Sequence, residues 1–255
     1  MGSSSWRNFL GYIQSKILRS WRELTDYINI FVKGKIALFQ HHPYCSVQCC
    51  NGIIKALGGL YDIKIFTKDQ VVKETFEDVD IIAFPGGLGD ADKYYSLFTR
   101  RQANIIADFV DQGGCYLGIC MGAYWAGHHY FDLLDDVECR QYIRRPRADI
   151  RRSYGTTASI RWSGYRTDMF FYDGTAFVGD HTKFETIATY ANGDSAAIIQ
   201  GRIGLIGPHP ESEHSWYDKP YKYLKEYWHQ GNHHYLLRNF ANRLMSKRIT
   251  ANHMN

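Results

Sequence analysis

A chain of 255 residues, 45% hydrophobic and 22% charged, can bury one large core and carry appendages. Its net charge of +4 is too mild to point to nucleic acid, and none is expected as a partner. No apolar run approaches the roughly 18–20 residues that a membrane span requires.

Six cysteines, at positions 45, 49, 50, 115, 120 and 139, have uneven spacing and no secretory leader before them. They are read as reduced thiols, and the protein as cytoplasmic. From Trp6 to Val32, apolar residues recur at helical period beside Arg7, Lys16, Arg19 and Arg22. Residues 1–33 are therefore expected to form an amphipathic helix. Docking on the domain or on a second copy is favoured over peripheral membrane contact.

Strands and helices then alternate. Lys35–Gln40 reads as a strand, Ser46–Leu57 as a helix, Tyr61–Phe66 and Val79–Phe84 as strands, Arg101–Asp111 as a helix and Cys115–Ile119 as a strand. This order predicts an α/β fold with a mostly parallel sheet flanked by helices. Residues 139–175 are rich in arginine and turn formers. Short strands follow at Thr175–Val178, Phe184–Tyr190, Ala196–Gln200 and Arg202–Ile206, read as antiparallel edge strands with a turn at Asn192-Gly193-Asp194. The core domain is expected over residues 34–214. A C-terminal helical extension over 215–255 would carry a break near Gly231-Asn232 and serve as a packing or homo-oligomer element.

The segment Gly118-Ile119-Cys120-Met121-Gly122 follows a strand and precedes helical sequence. Glycines two residues to either side of Cys120 permit a sharp turn that presents one thiol at a helix start, which favours the thiolate. Gly207-Pro208-His209-Pro210-Glu211 also follows a strand. Extended backbone there would place His209 and Glu211 on one face, so that the carboxylate holds the imidazole while its other nitrogen addresses a thiol. Phe84-Pro85-Gly86-Gly87 is a third strand-end turn. The Gly87 and Met121 N–H groups are the candidate oxyanion donors.

Two other features read more plainly. His41-His42-Pro43-Tyr44-Cys45 with Cys49 and Cys50 matches no standard zinc spacing, so no metal is expected, though the loop could line the pocket. Arg140, Arg144, Arg145, Arg147, Arg151, Arg152, Arg161 and Arg166 are read as a solvated loop offset by nearby acids rather than as an anion site. No cofactor is expected.

Together the elbow, the His-Pro-Glu segment, the Pro-Gly-Gly turn and Phe171-Tyr172-Asp173-Gly174-Thr175-Ala176-Phe177 resemble the class I glutamine amidotransferase-like superfamily. Within it the chain is most similar to the domain found at the N-terminus of biotin-protein ligases and as free-standing proteins. The resemblance covers roughly residues 34–214. It implies a flavodoxin-like architecture and a Cys120–His209–Glu211 triad acting on a small-molecule amide or acyl substrate. Gly86, Tyr124 and Tyr172 are the residues assigned to the substrate pocket. Tyr124 departs from the pattern, since glutamine-hydrolysing members often carry Gln four residues after the cysteine. No synthetase domain follows, so an amidotransferase would require a separate acceptor or synthetase subunit. The alternative is a catalytically silent ligand-binding or regulatory module. The protease and stress-protein branch ranks last, because Met121 stands where that branch has histidine.

Overall fold

The computed structural model describes residues 33–41, 46–87, 96–218 and 220–252. The expected helix over 1–33 lies outside them, as do His42, Pro43, Tyr44 and Cys45. The first half of the core alternates as anticipated: β1 (Gly34–Phe39), α1 (Val47–Leu57), β2 (Tyr61–Phe66), β3 (Ile81–Phe84), α2 (Arg100–Asp111), β4 (Cys115–Ile119) and α3 (Met121–Trp125). Both long helices begin on side-chain caps. Ser46 accepts from the Cys49 N–H, and Thr99 forms a reciprocal capping box with Gln102.

Seven strands follow: β5 (Val137–Gln141), β6 (Thr156–Trp162), β7 (Tyr165–Phe171), β8 (Thr175–Gly179), β9 (Glu185–Tyr190), β10 (Ser195–Gln200) and β11 (Ile203–Ile206). A 3-10 segment, Lys222–Gly231, leads into α4 (Asn232–Asn252). His229 and Gln230 have positive φ and break the helical path there.

All eleven strands join one sheet, ordered β2-β1-β3-β4-β11-β10-β9-β6-β7, with β8 pairing β10 and β5. The β1–β3, β3–β4 and β4–β11 pairs are parallel, while β11–β10, β10–β9, β9–β6, β6–β7, β8–β10 and β5–β8 are antiparallel. The fold is thus α/β, but the expected mostly parallel sheet is corrected to a mixed one. Parallel neighbours need a crossover of a dozen or more residues, and the second half instead returns through short loops that only antiparallel strands can use.

Residues alternate across the sheet. Ile36, Leu38, Ile81 and Ala83 join a core beneath α1 and α4, with Ile53, Leu57, Leu237 and Phe240. Ala37, Phe39, Ile82 and Phe84 join the opposite core, with Ile105, Ile106 and Trp125. Strands buried on both faces explain the continuous apolar runs in the sequence. No helix among the described residues is long and apolar enough to cross a membrane.

Candidate active site

The parallel strands β3, β4 and β11 end side by side, and the three sequence motifs leave from those ends. Cys120 follows β4 with φ 51° and ψ −104°, a conformation unfavourable for any residue with a Cβ. The surroundings hold it there. Its N–H donates to the Ile206 carbonyl (2.7 Å), tying β4 to β11, and its carbonyl accepts from the Thr175 hydroxyl (3.2 Å). The flanking glycines serve close approach. A Cβ on Gly118 would fall 2.5 Å from the Gly122 carbonyl oxygen, and one on Gly122 would fall 2.1 Å from that of Phe84. The Gly122 N–H donates to the Pro85 carbonyl (3.2 Å), so the elbow is bonded to the Pro85-Gly86-Gly87 turn. The helix after Cys120 spans only Met121–Trp125, so its dipole adds little beside Cys120. Met121 opens that helix, where an N–H has no intrahelical acceptor.

His209 and Glu211 are both buried, and His209 Nδ1 lies 2.8 Å from Glu211 Oε1. They meet in a turn rather than on an extended run: the Ser212 N–H donates to the His209 carbonyl (3.2 Å), with Pro210 at the corner. The His209 N–H donates to the Phe170 carbonyl (2.8 Å) and the Phe170 N–H to the Tyr217 hydroxyl (3.1 Å), which fixes the loop from β7. Burial alone would lower the His209 pKa. The negative charge of Cys120, then that of Glu211, then hydrogen bonds with Cys120 and Cys49, outweigh it and raise the ring well above its usual 6.5.

Cys49 was not expected to adjoin the triad residues. It sits in the first turn of α1 beside His209, and burial first of all pushes its thiol up to about 11, with His209 pulling it down. It belongs to the segment set aside as a poor zinc pattern, and its neighbours in the fold are His209 and Glu211. Ligand atoms of Cys49, His209 and Glu211 all lie within 4.8 Å of one another, a set able to hold a metal ion. The sequence reading that this segment could line the pocket is the one that fits Cys49, which lines the cavity beside His209.

A cavity of about 290 Å³ opens on His209 and Cys49, lined also by Gly87, Phe170, Tyr172 and Trp216. Gly86 lies behind it, where a Cβ would stand 2.6 Å from His209 Cε1 and 3.1 Å from Cys49 Sγ. Cys120 Sγ is 3.6 Å from the Tyr172 carbonyl. Tyr124 points away, its hydroxyl 3.4 Å from the carbonyls of Asp173 and Gly174, and lines a separate cavity with Arg140, Arg144 and Arg145. Within the arginine-rich stretch, Arg145 pairs with Asp194 (2.7 Å) and Arg140 with Glu138 (2.5 Å).

Residues 41–137 match the family model described as "Biotin-protein ligase, N terminal". The chain is 23% identical over 201 residues to a biotin–protein ligase of Schizosaccharomyces pombe, covering 66% of this chain and 31% of the ligase. It is 28% identical over 162 residues to an uncharacterized protein of Chlamydia muridarum, covering 53% of this chain and 61% of that protein. It thus spans under two thirds of the length of either relative. Among solved structures, a glutamine amidotransferase of Thermotoga maritima superposes with a TM-score of 0.60 at 12% identity, covering 84% of this chain and 99% of its own. A putative GMP synthase component from Thermoplasma acidophilum gives 0.56 at 15% identity, covering 88% and 98%. These likenesses show a class I glutamine amidotransferase-like fold.

Proposed function

We propose that this chain, which resembles the biotin-protein ligase N-terminal family, is a thiol enzyme acting on an amide or related acyl centre, with Cys120 as nucleophile, His209 as acid and base, and Glu211 as its orienter. The observation that carries the reading is one buried imidazole bonded to the Glu211 carboxylate, with Cys120 on its strained strand end close enough to raise the ring's pKa. In the reaction the Cys120 thiolate attacks the carbonyl carbon. The N–H groups of Gly87 and Met121 receive the oxyanion. Protonated His209 gives its proton to the departing nitrogen, leaving a thioester on Cys120. His209 then takes a proton from water, which attacks the thioester, releases the carboxylic acid and restores the thiolate. Phe170, Tyr172 and Trp216 give the cavity beside His209 an aromatic lining. The similarity to a component of a GMP synthase supports a separate protein that supplies an acceptor for the released nitrogen.

The raised His209 pKa supplies the test. An ordinary thiol is only about 3% ionised at pH 7, and a neighbouring imidazolium raises that fraction. Iodoacetamide labelling of Cys120, followed by peptide mass spectrometry at pH 7, is expected to slow about tenfold or more in His209→Ala, with the rate recovering only at alkaline pH. Labelling indifferent to His209 would remove the triad. A second reading, a ligand-binding module without turnover, is favoured by Tyr124, whose ring turns away from the cavity. Cys120-dependent labelling with no thioester trapped from any amide would select it.

A further inference from the structure

We infer that Cys49, His209 and Glu211 form a site for a thiophilic divalent cation of the Zn²⁺ class. Three observations converge on it. The ligand atoms come within 4.8 Å of one another, and all three residues are buried. A tetrahedral zinc site sets such atoms about 3.3–3.8 Å apart, so side-chain rotations of an ångström or so close the set. One carboxylate oxygen, Glu211 Oε1, is bonded to His209, while Oε2 is buried with no hydrogen-bond partner among the described residues. A buried carboxylate oxygen left unpaired is costly, and a cation satisfies it directly.

Charge and access agree. A Cys49 thiolate and a Glu211 carboxylate together neutralise a divalent ion, so the filled site carries no net charge into the interior. Sulfur and imidazole ligands select Zn²⁺ over Mg²⁺ or Ca²⁺. Cys49 and His209 both face the 290 Å³ cavity, which gives the ion its entry path and leaves a fourth position open toward solvent. On binding, the Cys49 S–H bond and the N–H bond at the ligating nitrogen of protonated His209 both break, sulfur and nitrogen donate their pairs to the ion, and both protons pass to solvent.

A consequence rests on the triad reading above: His209 and Glu211 cannot hold the ion and serve Cys120 together, so the loaded protein is switched off. Co²⁺ replaces Zn²⁺ as a spectroscopic probe, because a cobalt–thiolate bond adds a near-ultraviolet charge-transfer band. Titration of the full chain with Co²⁺ is expected to give this band with one-to-one stoichiometry, reversed by Zn²⁺. Cys120→Ser should retain the band. Cys49→Ser should lose it, and Glu211→Gln should weaken binding tenfold or more. Circular dichroism of each variant separates lost ligands from lost fold, and Cys49→Ala serves as a second thiol deletion. No band in the wild type, or a band that survives in Cys49→Ser and vanishes in Cys120→Ser, overturns the site. The triad is judged separately by His209-dependent labelling of metal-free protein, so either idea can fail while the other stands.

Discussion

At the scale of single residues, Gly86 is the most exposed to test. Its φ is not in the left-handed region, so a side chain is excluded there by neighbours and not by backbone strain. An alanine Cβ at 2.6 Å from His209 Cε1 and 3.1 Å from Cys49 Sγ must displace one ring or one thiol. Gly86→Ala is therefore expected to slow Cys120 labelling as far as His209→Ala does. Overpacking should destabilise the fold by about 1–3 kcal/mol in urea titration. Labelling at the wild-type rate would show that His209 has room to move without loss. The turns that carry Cys120, His209 and Glu211, and so their proposed roles, could be read from sequence because each sits in a motif of adjacent glycines or prolines at a strand end. Cys49 was not legible. Its relation to His209 spans the whole sheet, and nothing in its helix announces a partner 160 residues away.

At the scale of elements, the hairpin β6–β7 was the main omission. Strand β6 turns Ala158, Ile160 and Trp162 inward and Ser159 and Arg161 outward, a period-2 pattern that lies within a stretch read as an arginine-rich loop. The signal present was Ser163-Gly164, whose φ values of 47° and 92° make the two-residue turn that joins Trp162 to Tyr165. The segment after the His-Pro-Glu turn was read as a packing element, and it does pack: Ser212 Oγ lies 2.8 Å from the Tyr217 hydroxyl, which lies 3.2 Å from His233 Nε2. Burial, then repulsion from His229 and His234, lowers the His233 pKa to about 4. Between about 6.5, the unfolded value, and 4, the unfolded chain binds the extra proton, so stability is lost as pH falls through that window. The loss attributable to this one ring is on the order of 3 kcal/mol. Urea midpoints measured from pH 7 to pH 4 should fall less steeply in His233→Gln than in wild type. Equal slopes would assign the acid sensitivity elsewhere.

At the scale of the whole molecule, α4 belongs to the core of the sheet. Leu237, Phe240, Ala241 and Leu244 are all buried against the face shared with α1, and Phe240 packs its ring on Trp162 at 6.1 Å. Phe240→Ala is expected to cost about 3–5 kcal/mol in a denaturant titration. A loss under about 1 kcal/mol would make α4 an accessory. The alternation of strands and helices in the first half fixed the α/β class from sequence, because parallel strands buried on both faces leave long apolar runs. The balance between parallel and antiparallel pairs was hidden, since it depends on which neighbours the later strands choose.

The place of β11 between β4 and β10 has a consequence for how the protein is made. Until that strand arrives, the β4 edge carries open backbone donors and acceptors, and the Cys120 N–H lacks the Ile206 carbonyl that holds its strained turn. Strand β11 and His209 are synthesised long after Cys120, and pairings so distant in sequence form slowly. A nascent chain thus exposes an aggregation-prone edge beside an unguarded thiol. The last parallel strand to enter the sheet is the one that closes the edge and delivers the imidazole to it.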